Sequence, residues 1–182
     1  MEVELHNTHM YMIVSCGRLT QIKGFDLAVM AASVLKKRGI DFTWYFVGDG
    51  PEKNSIERMI YDNNLNSNIV ITGMVDNPYP YIAVCDIYVQ PSYSESYGLS
   101  ITEAKMLNKP IVSTLTAGGR EQIEDGVNGV LTNINPEAIA DGVFDLLNSS
   151  EKINTIKNNL ESYDYSTKLE EFTSIWERLI QV

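Results

Sequence analysis

The sequence predicts an α/β fold, a doubly wound parallel sheet of about six strands that forms a single domain. Two observations carry this prediction. Short apolar, β-branched runs alternate along the chain with segments whose apolar residues recur at helical spacing. No serine- or glycine-rich linker and no change in composition divides the 182 residues. Strands that alternate with helices form parallel sheets covered on both faces, with right-handed crossovers.

The apolar runs give the strands in order. Each run is short, rich in valine, isoleucine or aromatic residues, and ends at a glycine or a polar turn. Because the runs are continuous rather than alternating, they are typical of strands buried on both faces. The predicted strands cover residues 11–14, 42–47, 69–71, 87–89, 111–112 and 130–131.

Helical spacing fills the intervals between these strands. The first helix follows Gly24 and ends at Gly39, a residue suited to a helix C-terminus. Pro51 suits the first position of the second helix, and Asn135 followed by Pro136 starts a later one. The predicted helices cover residues 25–37, 51–63, 76–84, 98–107, 136–147, 151–160 and 166–180, and residues 117–120 form a flexible loop that could open a short helix to residue 123.

Residues 1–10 show no clear period, and we set them apart as an N-terminal segment, either a linker or derived from expression. Residues 11–182 form the predicted domain. A chain of this length can bury a substantial core.

Composition and charge restrict the classes of function. Hydrophobic residues make up 44% of the chain, charged residues 21%, and the net charge is −10, which argues against general binding to nucleic acid or anionic membranes. No apolar run approaches the roughly 20 residues of a membrane helix, and the polar start is not typical of a signal peptide. With Cys16 and Cys85 in apolar surroundings and histidines only at positions 6 and 9, we expect a cytoplasmic protein with reduced thiols and no metal site or cofactor.

The loop after the first strand carries two cations. Gly17 and Arg18 follow the strand, and Lys23 precedes Gly24 at the start of a helix. A helix start offers free amides and a positive dipole end, so these cations could hold a pyrophosphate there. The alternative is two ordinary surface cations.

Polar residues are also concentrated in the strand–turn–helix–strand unit of residues 87–114. Glu95 lies in its turn and Glu103 in its helix, where the neighbours at helical spacing, among them Leu99 and Met106, carry no charge. Glu103 therefore interrupts an apolar stripe. It is either a glutamate at the rim of a core-facing stripe or a carboxylate that accepts hydrogen bonds from ligand hydroxyls beyond the strand end.

Other glycine-rich loops give weaker indications. Gly48 and Gly50 most simply reflect tight backbone geometry, whereas Gly98 is either a helix N-cap or a point where a ligand approaches the backbone. Gly118 and Gly119 form either a close-approach loop or a turn, and Arg120 is either a ligand cation or solvated. No dinucleotide fingerprint, phosphate-binding loop ending in glycine-lysine-serine or nucleophilic triad occurs.

Taken together, these motifs resemble the retaining glycosyltransferases of family 4. The resemblance is carried by Gly17-Arg18-Leu19 with Lys23-Gly24, by Val47-Gly48-Asp49-Gly50-Pro51, and by Pro91-Ser92 with Glu95, Gly98 and Glu103. Their order and spacing are similar to those of the C-terminal, nucleotide-sugar-binding half of the two-domain glycosyltransferase B fold, which is Rossmann-like. The resemblance covers residues 11–182, and the two glutamates with seven residues between them are its most specific part.

The resemblance implies a role for each site residue. Arg18 and Lys23 would neutralise the diphosphate of a UDP- or GDP-hexose, and Glu103 would accept hydrogen bonds from its ribose. Glu95 would contact hydroxyls of the transferred sugar. The remaining binding residues would be Gly17 in the first loop, Met74 beside the nucleobase, and Tyr97, Gly98 and Leu99, whose backbone amides would hold the sugar and the distal phosphate. Such transferases generally need no metal ion.

The sequence also departs from the family pattern. Ala117 replaces the first glycine of a glycine pair that precedes a glutamate, which puts the role of that loop in doubt. The N-terminal domain, which would bind a glycan or lipid-linked acceptor, is missing from these residues, so we expect the isolated chain to lack transferase activity. The full-length enzyme could work at the inner face of the membrane.

Two alternatives remain open. One is a nucleotide-sugar epimerase-like enzyme on the same fold, although the body of the chain offers no histidine for acid–base chemistry. The other is a non-catalytic partner subunit that assembles through its final helix, where Trp176 is part of an apolar stripe. An exposed final helix could also support a dimer.

Overall fold

The computed structural model describes residues 9–162, which form one parallel sheet with helices on both faces. The six strands lie in the order β3-β2-β1-β4-β5-β6, and every pairing is parallel. The order reverses direction between β1 and β4, as in a doubly wound fold. The strands are β1 (Tyr11–Cys16), β2 (Phe42–Val47), β3 (Ile69–Gly73), β4 (Ile87–Gln90), β5 (Ile111–Thr114) and β6 (Val130–Thr132).

Seven α-helices and one 3-10 turn connect and cover these strands within the described part of the chain. Three of the helices begin at a side-chain cap: Thr116, Asn135 and Ser149 each accept a hydrogen bond from a backbone amide of the first turn. The helices are α1 (Phe25–Lys37), α2 (Lys53–Asp62), α3 (Tyr79–Val84), α4 (Leu99–Met106), α5 (Ala117–Gln122), α6 (Pro136–Leu147) and α7 (Ser150–Glu161), and the 3-10 turn is Gln21–Lys23.

Two hydrophobic clusters lie on opposite faces of the sheet. The larger contains buried residues of α1, α2, α6 and α7 together with the fully buried Ile13, Trp44 and Phe46. The smaller contains buried residues of α3 and α4 packed on Val14 and Tyr88. Successive strand residues therefore face different clusters, which explains why the strands read as continuous apolar runs.

The predicted fold class, strand order along the chain and most element bounds are confirmed. The predicted start of the second helix was wrong. Gly50, Pro51 and Glu52 form a turn in which Lys53 donates a backbone hydrogen bond of 3.1 Å to Gly50, and α2 begins only at Lys53. The short helix predicted over residues 76–84 begins only at Tyr79, whose amide donates a hydrogen bond of 3.0 Å to the Asn77 side chain in the preceding turn.

Residues 117–120 do not form a flexible loop, whereas the short helix that they were expected to open is confirmed as α5, Ala117–Gln122. They belong to α5, and Gly118 and Gly119 are buried within it. The predicted final helix over residues 166–180 lies outside the described residues. No helix of residues 9–162 has the length and apolar character needed to cross a bilayer.

Candidate functional site

The loops that follow β1 and β4 enclose a cleft at the point where the strand order reverses. In open parallel sheets, ligands bind at this switch point beyond the carboxyl ends of the strands. The cleft has a volume of about 1140 Å³. Every site residue predicted from the sequence lines it, from the first loop, the loop after β3 and the β4–α4 unit: Gly17, Arg18, Lys23, Met74, Glu95, Tyr97, Gly98, Leu99 and Glu103.

Lys23 and Glu95 meet across the cleft. The Lys23 Nζ atom lies 2.5 Å from Glu95 Oε2, and the two side chains are 26% and 13% exposed. Lys23 ends the 3-10 turn, and the next residue brings the two loops into backbone contact, because a Cβ atom on Gly24 would lie 2.1 Å from the carbonyl oxygen of Pro91. Arg18 is exposed at the mouth of the same cleft.

Glu103 faces the cleft from α4. Its Oε1 atom accepts a hydrogen bond of 3.3 Å from the hydroxyl of Tyr79 on α3. Of its neighbours at helical spacing, Leu99 and Met106 are 66% and 62% exposed, whereas Leu107 packs against the smaller hydrophobic cluster. The alternative of a core-facing stripe therefore holds only for Leu107, and the Glu103 carboxylate lines the cleft.

Gly98 forms the N-cap of α4 in a left-handed conformation, with φ of 80°. Of the two interpretations left open for Gly98, the N-cap is confirmed, and the approach of a ligand to its backbone stays a prediction. Leu99 and Ser100 follow as the first residues of the helix, whose amides have no intrahelical acceptor, and both residues line the cleft. The site therefore combines two cations, two carboxylates and the amino-terminal end of α4.

The preference for tight backbone geometry at Gly48 is also confirmed. A Cβ atom on Gly48 would lie 2.0 Å from the carbonyl oxygen of Gly17, so the loops after β1 and β2 are in backbone contact. Gly48 lines the cleft as well. Its geometry thus supports the wall of the site without supplying a functional group.

The glycine loop after β5 does not line the cleft. Gly118, Gly119 and the exposed Arg120 belong to α5, which packs beneath the β4–α4 loop. The amide of Gly118 donates a hydrogen bond of 2.7 Å to the carbonyl of Glu95. This element acts on the site through the loop that it contacts.

Sequence reasoning missed the buried polar residues below the cleft. Gln90, 2% exposed, accepts hydrogen bonds from Tyr88 and Ser100 at 2.9 Å each and donates one of 2.8 Å to Ser92. Gln122 is likewise buried and binds the start of α4. The sequence signal that could have revealed Gln90 is a glutamine at the end of an apolar strand. An aliphatic residue would pack there without a hydrogen-bond partner, whereas a buried glutamine needs one.

Both cysteines are free and buried, as the sequence predicted. Burial is the main cause that raises the pKa of Cys16, at the floor of the cleft, from 9.0 to about 12. Burial likewise raises the pKa of Cys85 to about 12. These thiols stay protonated at neutral pH and pack as small apolar groups. Within residues 9–162, no three His, Cys, Asp or Glu side chains cluster in a way that could hold a metal ion.

Comparisons with known proteins agree with this geometry. The chain is 30% identical to the alpha-D-kanosaminyltransferase of Streptomyces kanamyceticus over 142 residues, which cover 76% of this chain and 37% of that protein. A structure of S. aureus TarM with fondaparinux, alpha-GlcNAc-glycerol and UDP has a TM-score of 0.78 and 27% identity over 94% of this chain and 37% of TarM. The chain thus spans less than half the length of these relatives.

A third similarity concerns an isolated domain. The C-terminal domain of LpcC, a group 1 glycosyl transferase of Francisella tularensis, superposes with a TM-score of 0.74 and 27% identity, covering 82% of both chains. The family described as "Glycosyl transferases group 1" matches residues 1–162. This match covers most of the chain, and the chain also has the doubly wound fold described above. The chain therefore belongs to the group 1 glycosyltransferases.

Proposed function

We propose that this domain binds the nucleoside diphosphate-sugar donor of a retaining glycosyltransferase. One observation carries the proposal: Arg18, Lys23, Glu95 and Glu103 line a single cleft at the switch point of the sheet. Cations and carboxylates in one cleft suit a ligand that carries both phosphates and hydroxyls. Membership of the family supports a transferase over an epimerase-like enzyme or a non-catalytic partner subunit.

The proposed roles are those that the family resemblance implies, and the presence of all these side chains in one cleft supports them. Arg18 and Lys23 bind the diphosphate and stabilise the negative charge that develops on it when the bond to the sugar breaks. Glu103 accepts hydrogen bonds from the ribose, Glu95 from the transferred sugar, and Met74, which is 84% exposed, borders the base. In this proposal the two cations stabilise the negative charge of the diphosphate, for which other transferases use a metal ion.

We further propose a UDP-hexose as the donor. The support is the UDP bound to TarM, which shares the fold at 27% identity. The other half of the enzyme would bind a glycan or lipid-linked acceptor. The full-length enzyme would work in the cytoplasm, at the inner face of the membrane. In that arrangement the 182-residue chain binds donor but does not transfer sugar by itself.

Calorimetric titration of the 182-residue chain with UDP and with GDP tests the proposal. We expect saturable binding of UDP that Lys23→Ala and Glu103→Ala each weaken by about tenfold, the effect of losing one charged contact. Lys37→Ala removes an exposed cation of α1 and is the matched control. Equal affinities in all variants would contradict the assignment of the site. Absence of binding by either nucleotide, even with the acceptor domain restored, would overturn the proposed donor.

A further inference from the structure

The helix α5 lies against the loop that carries Glu95 and binds backbone carbonyl groups of that loop. The Gly118 amide donates a hydrogen bond of 2.7 Å to the Glu95 carbonyl. The side-chain amide of Gln122 donates to the carbonyl oxygens of Tyr97 and Gly98, the second at 2.9 Å. Helix α5 thus binds the carbonyl groups of three residues of this loop, Glu95, Tyr97 and Gly98.

These contacts have a directional consequence. In a planar trans peptide unit the carbonyl and the following N–H point in opposite directions. Because Gln122 binds the carbonyls of Tyr97 and Gly98, the amides of Gly98 and Leu99 point away from α5. Both residues line the cleft. The amides of Ile101 and Thr102 also donate to the Gly98 carbonyl, at 2.9 and 3.3 Å, so Gln122 and the first turn of α4 together fix the direction of these amides.

Gln122 is itself fixed from two sides. It is 6% exposed, and its side-chain oxygen accepts a hydrogen bond of 2.7 Å from the Thr102 hydroxyl on α4, which sets the orientation of the amide. The buried Lys105 donates to the Gln122 carbonyl at 2.8 Å, a cation at the carboxyl end of α5 where the helix dipole favours it. A side chain held by its neighbours in this way has little freedom to relax.

The close packing of α5 on the loop requires a small residue. A Cβ atom on Gly118 would lie 2.7 Å from the carbonyl carbon and oxygen of Tyr97. The glycine therefore allows the two backbones to touch, and Gln122 spans the remaining gap. The role of this segment was left in doubt because Ala117 stands where the family pattern has a glycine. These contacts explain that role.

We propose that Gln122 is a positioning residue that holds the amides of Gly98 and Leu99 toward the donor. The inference rests on the proposed function of the cleft, since those amides would bind the sugar and the distal phosphate. Donors fixed in advance stabilise charge without reorganisation, and small displacements of a positioned group are costly.

The test compares Gln122→Met, which keeps side-chain length but removes the amide, with Gln21→Met, the same change at an exposed glutamine. Hydrogen exchange of the backbone amides is measured without ligand, in residues 95–100 and, as an internal reference, in α6. We expect Gln122→Met to accelerate exchange in residues 95–100 by about tenfold while α6 is unchanged. Gln21→Met should leave both segments at the wild-type rate.

Titration with UDP-glucose supplies the second measurement. We expect Gln122→Met to raise the Kd by about tenfold, and Thr102→Val, which only frees the amide to rotate, to raise it less in the same direction. Exchange that is unchanged in residues 95–100, that rises equally in α6, or that rises without any loss of affinity would overturn the proposal. If the protein binds no nucleotide even with the acceptor domain restored, the donor assignment fails, and the exchange rates alone decide the positioning role of Gln122.

Discussion

The ion pair between Lys23 and Glu95 predicts that removal of one carboxylate will strengthen the binding of one ligand and weaken that of another. Without ligand, Glu95 neutralises Lys23 at 2.5 Å, so a diphosphate must compete with it. Exposed pairs contribute up to about 1 kcal/mol, and this one, with side chains 26% and 13% exposed, belongs at the upper end of that range. Glu95→Gln should therefore tighten UDP binding by about 1 kcal/mol, or roughly fivefold.

UDP-glucose should respond in the opposite direction. In the proposed site, Glu95→Gln also removes the carboxylate that would accept hydrogen bonds from the sugar, a loss of about 1.5–3 kcal/mol. Set against the gain at Lys23, the net effect is a weakening of about 0.5–2 kcal/mol, or roughly twofold to thirtyfold.

Calorimetric titration of both ligands in physiological salt measures the two affinities. Glu57→Gln, on the exposed face of α2, gives the same change in net charge away from the cleft and should leave both affinities within about twofold of wild type. The competition argument fails if UDP binds Glu95→Gln no more tightly than it binds Glu57→Gln.

Three further predictions concern stability, measured by urea unfolding and thermal melts. Gly48→Ala should destabilise the domain by about 3 kcal/mol, because the new Cβ would lie 2.0 Å from the carbonyl oxygen of Gly17; a melt like that of the wild type would show that the close contact is wrong. Asn135→Ala removes the cap of α6 and should cost about 1 kcal/mol, lowering Tm by about 2–4 °C, whereas Asn154→Ala, on the exposed side of α7, should not destabilise. Burial raises the pKa of Cys85 from 9.0 to about 12, so the folded state holds this proton more tightly than the unfolded state. The contribution of this proton to the free energy of unfolding is therefore complete below pH 9.0 and is lost as the pH rises toward 12. Between pH 8 and pH 10, the free energy of unfolding of Cys85→Ala should accordingly fall by about 1.4 kcal/mol less than that of the wild type. Equal decreases would contradict the raised pKa.

The strands could be predicted because burial on both faces leaves a strong signal. Trp44 and Phe46 face one cluster and Tyr45 the other, so β2 is buried at every position and apolar at all of them except Thr43. Helix bounds were predictable where a cap or a terminating glycine is explicit, as at Asn135. The start of α2 was not, because Pro51 is equally suited to a turn and to a first helical position, and only tertiary contacts decide between them.

That the predicted site residues would line one cleft could be predicted, because they match the motifs of the family resemblance and follow the carboxyl ends of parallel strands. The partners of those residues could not. That Lys23 would meet Glu95, 72 positions away, depends on the adjacency of β1 and β4. The exposure of Leu99 likewise depends on which face of α4 meets the sheet, and the weak amphipathicity of that helix gave the sequence no means to decide it.

The backbone contacts of Gly24 with Pro91 and of Gly48 with Gly17 have a consequence for engineering donor selectivity. Loops that touch without side chains between them cannot be exchanged one at a time, so grafting any of them from a relative requires grafting its neighbours too. The loop after β3 offers a freer route, because Met74 is 84% exposed and lines the cleft. A library directed at which base is accepted should therefore begin at Met74 and leave the glycines untouched.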